Sequence, residues 1–318
     1  MTDEERYERL TGIFAPYFQA QVNDLRTNNK RLVHYTNAEN AMRIIAGEEV
    51  WLRSTRTMND YSEIQHGYES LVEAVNSEPG AVFKQELEKL FPGLYDDAAK
   101  QADSWAQVIR NNSYITCLSV HRDDEDEDGR LSMWRAYGGA NSVALVLNNK
   151  AFVGSTMELG AFSSAVHYMS ATGLTAHVRM IGEGLREHSE FLATCDKAEI
   201  AQTLFTMFAA TMLCTKHPGF AEEEEWRVFH IPQLYDQGRL VKSVECVRGV
   251  PQVVFKVPLK DFDGVPPIGN AIPDLLNRVI IGPTEYPYVI YEALVALLEQ
   301  KGVQDAGKKV WVSGIPLR

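Results

Sequence analysis

Glu222-Glu223-Glu224-Glu225-Trp226-Arg227-Val228-Phe229-His230 runs four carboxylates into a Trp-Arg pair and then into aromatic and β-branched residues. That tail has the composition of a buried strand. Side chains alternate between the faces of a strand, so Glu223, Glu225, Arg227 and Phe229 share one face, and Trp226, Val228 and His230 form the core-facing set. Two carboxylates beside a guanidinium suit a sugar or a developing positive charge. An acidic loop leading into a strand, with Arg227 ion-paired to a glutamate, gives the same letters. Residues elsewhere bear on the choice.

The chain has 318 residues, 45% hydrophobic and 23% charged, an ordinary globular composition with room for a large core. Its formal net charge of −12 argues against a broad electrostatic grip on nucleic acid or an anionic membrane. The start, Met1-Thr2-Asp3-Glu4-Glu5-Arg6, is charged and predicts no secretory leader. The longest apolar run, residues 204–214, is too short to span a bilayer. Cys117, Cys195, Cys214 and Cys246 lack paired spacing, which fits reduced thiols in a cytoplasmic protein.

Residues 3–26 carry apolar positions at helical spacing, with a break near Pro16 and an end at Asn28-Asn29. Residues 31–36 predict a strand, Asn37 a helix N-cap, residues 38–47 an apolar-striped helix, and residues 50–54 a second strand. Thr57-Met58-Asn59-Asp60-Tyr61 reads as a polar turn, and Pro79-Gly80 and Pro92-Gly93 punctuate helices that run on to Arg110. Further strands are expected at 114–120, 142–147, 252–257, 278–283 and 309–312, with helices at 175–215 and 285–300. Strands scattered among helices without strict alternation predict one α+β domain over 1–318. Within it lie a helical segment at 1–29, a helical insertion at 160–217, and a final helix and strand at 284–318.

Asp124-Glu125-Asp126-Glu127-Asp128-Gly129 matches the first half of a calcium loop, but Arg135 occupies the position where the closing glutamate belongs. A solvated acidic loop is expected instead. Cys214 and His217 lack the two further ligands zinc needs, so no metal is expected. Trp134 and Tyr137 are three apart, and one helical turn puts both on the same side, as core or as a flat wall for a ring-shaped ligand. His34 at a strand end is a core or turn histidine or a ligand contact, and Asn59-Asp60 caps a helix or binds.

Taken in order, several pieces resemble a bacterial family known as domain of unknown function 2971. They are His34-Tyr35-Thr36, Trp51-Leu52-Arg53-Ser54, Met58-Asn59-Asp60 with Glu63, Thr116-Cys117-Leu118-Ser119, and Met133-Trp134-Arg135-Ala136-Tyr137-Gly138. Glu223-Glu224-Glu225-Trp226-Arg227 and Ile280-Ile281-Gly282-Pro283 complete the set, and the match covers residues 31–283. Arg135 departs from the family, which often carries His there. The layout is also similar, more distantly, to the ADP-ribosyltransferase superfamily. That resemblance implies a split mixed/antiparallel β-sheet core of ADP-ribosyltransferase-like type with helical insertions, and a cleft that grips NAD in a bent conformation.

By the same resemblance His34 holds the adenine-side ribose, Tyr137 stacks on nicotinamide, and Glu225 binds the nicotinamide ribose hydroxyls. Tyr35, Ser54, Asn59, Trp134 and Arg227 complete the implied NAD-binding set. The chemistry suits these residue types, because cleaving the N-glycosidic bond passes through an oxocarbenium-like state that a carboxylate stabilises. Glu223 is the second catalytic candidate, orienting or deprotonating the acceptor. The expected partners are NAD and an acceptor among proteins, nucleic acids or small molecules, with an antitoxin or defence-system partner and no membrane. A toxin or anti-phage effector is the biological expectation. The alternatives are a non-catalytic nucleotide- or protein-binding sensor module, or a nucleic-acid hydrolase with a divalent ion, which the net charge disfavours.

Overall fold

Pro16 has no N–H to donate and clashes with the preceding turn, so the apolar stripe near the N-terminus breaks into two helices, Asp3–Phe14 and Pro16–Thr27. The computed structural model describes residues 1–57, 61–153, 159–235, 237–261 and 269–316. Two units emerge, one of Met1–Asn23, Ser54–Ser113 and Ser164–Glu222, the other of Asp24–Arg53, Tyr114–Ser163 and Glu223–Arg318. The fold is mixed, helices with a sheet that is mostly antiparallel and in part parallel.

The first unit is helical, and its helices start where the sequence supplies acceptors for their free N–H groups. Thr2 and Glu5 form a reciprocal capping box, Ser77 caps Glu78–Leu90, and Ser170 caps Ala171–Glu187. Helices Tyr61–Val75 and Lys197–Cys214 touch backbone to backbone at Gly67, where a Cβ would lie 2.5 Å from the Met212 carbonyl oxygen. Buried Lys216 is ion-paired with Glu63 at 2.9 Å. Buried His167 stands edge-on to Tyr17 and to His177, with ring centroids 4.4 and 5.7 Å away.

Strands follow in chain order as β1 (Arg31–Asn37), β2 (Glu49–Ser54), β3 (Tyr114–His121), β4 (Ser142–Leu147) and β5 (Phe162–Ala165). Then come β6 (His167–Tyr168), β7 (Thr215–Lys216), β8 (Glu225–His230), β9 (Val241–Val247), β10 (Val250–Pro258), β11 (Leu276–Ile281) and β12 (Val310–Val312). β6 and β7 form a small parallel pair, and the other ten make the sheet of the second unit. The path runs β12-β11-β4-β1-β3-β2-β10-β9, with β8 also on β3 and β5 on β8. A strand has two edges, so β1 and β2 share one edge of β3 while β8 takes the other. The β1–β3 ladder accordingly covers only Arg31↔His121 to Val33↔Ser119, after which β1 follows β4 alone.

The registers sort side chains to two faces. Leu32, His34, Thr116, Leu118, Leu145 and Trp226 take one face. There helices Ala38–Gly47 and Ile272–Leu275 close over a cavity of about 30 Å3, lined by aliphatic side chains with His34 and Thr116. Val33, Tyr35, Ala144, Val146 and Ile280 take the other and pack with Met133 and Trp134. Asn37 is the expected N-cap, its side chain accepting from the Asn40 N–H at 2.8 Å. No helix of the described residues is long and apolar enough to cross a membrane.

Candidate functional site

The four glutamates do not continue a strand. Glu223 ends a 3-10 helix, Pro218–Glu223, and Glu224 takes a left-handed φ of 43° before β8 begins at Glu225. This corrects the expected strand alternation through Glu223, because the kink at Glu224 resets the direction of each side chain. Glu224 reaches Arg122 and Arg130, at 2.9 and 2.7 Å. Glu225 and Arg227 do share a face of β8, as do Cys117 and Ser119 opposite them on β3. That face is as buried as its opposite: Arg227 is 0% and Glu225 6% exposed. The guanidinium grips the carboxylate through two hydrogen bonds, Nε to Oε1 at 2.7 Å and Nη2 to Oε2 at 3.2 Å.

Trp134–Gly138 winds as a π-helix, a geometry frequent at functional sites. Its wider turn corrects the expectation that Trp134 and Tyr137 lie on one side. Trp134 is buried against Tyr35, centroids 4.7 Å apart, and donates its indole N–H to the Asp128 carbonyl, whereas Tyr137 is 45% exposed. The Tyr137 hydroxyl donates to Glu223 Oε1 at 3.4 Å. Trp134 fits because glycines surround its ring: a Cβ on Gly129 would lie 2.5 Å from the indole, and one on Gly282 2.8 Å. Gly129 also carries φ +67°, which an L side chain adopts only with strain. Gly129→Ala is expected to cost about 2 kcal/mol or more of stability, read from the urea midpoint, because overpacking and backbone strain act together.

Asp124, Glu127 and Asp128 of the acidic loop are exposed, as expected of a solvated loop, but Glu125 and Asp126 turn inward as an ion-pair hub. Buried Glu125 pairs with Arg130 at 2.7 Å, and Asp126 meets Arg31 at 2.8 Å, His121 Nε2 at 2.8 Å and Arg278 at 3.0 Å. Burial pushes Asp126 upward, but hydrogen bonds from His121 and Arg31 and the charges of Arg31 and Arg278 hold it below the usual carboxylate range. Burial lowers His121 despite the Asp126 carboxylate 2.8 Å from its Nε2. Arg130 stays raised, because its hydrogen bond to Glu125 and the charges of Glu125 and Glu224 outweigh burial. Burial pushes the Tyr35 phenol up to about 12, and its oxygen accepts from the Arg130 N–H at 2.9 Å.

The structure thus gathers Tyr35, Trp134, Tyr137, Glu223, Glu225 and Arg227 around the start of β8 and the π-helix. His34 is elsewhere. The ladders put it on the face opposite Glu225, where it holds the Cys117 carbonyl through Nδ1 at 3.0 Å and burial lowers its pKa. Ser54 ends β2, its hydroxyl accepting from the Arg56 N–H at 3.3 Å. Asn59 lies outside the described residues. Arg31, Arg130, His121 and Asp126 escaped sequence reasoning; alternation of Arg31 with the Val33 and Tyr35 face was the signal that could have found the first. Among the described residues no group of three or more His, Cys, Asp or Glu is placed to hold a metal ion.

No curated protein and no solved structure matches the chain. The model of the family described as "Protein of unknown function (DUF2971)" matches residues 133–228, a span that opens at Met133 and takes in Trp134, Tyr137, Glu223, Glu225 and Arg227.

Proposed function

We propose that the protein is an NAD-dependent ADP-ribosyltransferase-like enzyme whose site lies at the start of β8. The observation that carries this reading is the exposed Tyr137, presented by a π-helix and hydrogen-bonded to Glu223, one kink away from the Arg227-held Glu225. The phenol offers an aromatic face to nicotinamide, and the carboxylates offer acceptors to ribose hydroxyls and negative charge to C1′. As the nicotinamide–ribose bond breaks, its electron pair leaves with nicotinamide and positive charge grows on the sugar. Glu225 stabilises that charge, the acceptor's nucleophile bonds to C1′, and Glu223 takes the acceptor's proton. The short β1–β3 ladder supports a split-sheet core of ADP-ribosyltransferase-like type. His34, facing away, has no part in this site, so another group grips the adenine side.

A second reading, a non-catalytic nucleotide- or protein-binding module of a defence system, draws on the Glu225–Arg227 pair, in which the carboxylate already has its cation. The test is NAD consumption by purified protein supplied with cell lysate as acceptor source. Wild type is expected to consume NAD, and Glu223→Gln to lose about 100-fold or more while circular dichroism stays unchanged. Glu225→Gln is expected to lose as much, and because it removes the carboxylate that holds buried Arg227, its urea midpoint is read beside its activity. Saturable NAD binding without turnover in the wild type selects the binding module. Neither binding nor turnover overturns both readings.

A further inference from the structure

We infer that the free edge of β9 pairs antiparallel with β9 of a second copy of this chain, forming a two-fold dimer with a continuous sheet. β9 ends the strand path, and among the described residues no strand covers its outer edge. Long uncovered edges are normally blunted by charge, proline or bulges. This one carries Lys242 and Glu245 but no proline or bulge, and it exposes Val244, 72% accessible, with Val241 at 55%, over an uninterrupted seven-residue ladder to β10.

The hairpin turn fixes which backbone groups face outward. Val247 and Val250 flank the two-residue turn Arg248-Gly249, whose φ values of 51° and 80° are those of a type I′ turn. Residues that flank such a turn are hydrogen-bonded to each other, so the odd-numbered residues of β9 aim their N–H and C=O at β10. Lys242, Val244 and Cys246 therefore aim theirs outward. Self-pairing centred on Val244 joins these groups in about six backbone hydrogen bonds.

Side-chain chemistry selects that register over its neighbours. Centred on Val244, each strand sets Val244 against Val244 and Val241 against Val247 of the other copy, with Lys242 against Cys246 and Ser243 against Glu245. No like charges stand opposite. A centre at Glu245 sets that carboxylate against itself and Lys242 against Arg248, and a centre at Ser243 sets Val241 against Glu245. The Val244 row also continues existing packing. Val244 lies directly beside Val253 of β10, which packs on the cluster of Leu52, Tyr114 and Phe255.

Light scattering on the full chain after size exclusion tests the interface. Wild type is expected at twice the chain mass, and Val244→Lys, which sets two ammonium groups face to face, at the single mass. Val250→Lys, at a site 55% exposed but off the free edge, keeps the dimer. Under mild oxidation Val244→Cys gives a covalent dimer that wild type does not, since its exposed Cys246 faces Lys242 in this register. A monomeric wild type, or a dimer that survives Val244→Lys, overturns the inference.

Discussion

Replacing Arg227 with methionine is expected to remove about 3–5 kcal/mol of folding stability, the cost of leaving a buried carboxylate without its cation. Arg227 is fully buried and Glu225 nearly so, and the two bonds between them are charge-assisted and parallel. The loss appears as a lower urea midpoint with an unchanged slope. The double variant Glu225→Gln/Arg227→Met is the informative control. It leaves no orphaned ion, and buried ion pairs replaced by neutral groups of similar volume are frequently neutral in stability, so most of the loss is expected to return. A single-variant cost under about 1 kcal/mol means that water reaches the pair in solution.

Stability is expected to fall on acidification from about pH 7 to pH 4, by several kcal/mol in order of magnitude. Burial drives His167 to about 3 and His177 to about 4 from an ordinary 6.5, with the His177 charge adding to the effect on His167. The folded state thus binds fewer protons than the unfolded one below pH 6.5. The contribution is complete above that value and is lost as pH falls towards the folded values. Tyr17, beside His167, is raised by burial and does not titrate in this window. His34 and His121 are also depressed by burial and act with the same sign. Urea midpoints at several pH values give the slope. His167→Phe, which keeps the aromatic edge against Tyr17, is expected to flatten it, and an unchanged slope would mean that His167 is solvated in the folded protein.

Local chemistry carried the sequence reading wherever one signal dominated. Asn37 as an N-cap and the break at Pro16 both follow from backbone rules that need no neighbour. β4 spans the expected residues 142–147 because an unbroken apolar run suits a strand buried on both faces. β9 was missed: Lys242, Ser243, Glu245 and Cys246 dilute its valines, and its place at a sheet edge demands little burial. At the site, Glu225 and Arg227 on one face of β8 were legible from alternation alone. The loss of alternation before Glu225 was not, because a positive φ at a glutamate leaves no mark in the letters. Nor was the role of the acidic loop, since its partners Arg31 and Arg278 come from β1 and β11, distant in the chain.

The three-pair ladder between β1 and β3 has a mechanical meaning. Along most of the sheet, neighbouring strands are stitched by five to seven consecutive pairs, as in β1–β4 and β9–β10. Between β1 and β3 the stitching stops at Val33, and the His34 ring spans the gap to the Cys117 carbonyl in its place. The β11–β12 ladder at the sheet's edge is as short, so β1–β3 is one of the lines of few shared pairs along which local opening is easiest. The imidazole is thus a clasp between two half-sheets, one carrying β8 and the other built on β4 and β11.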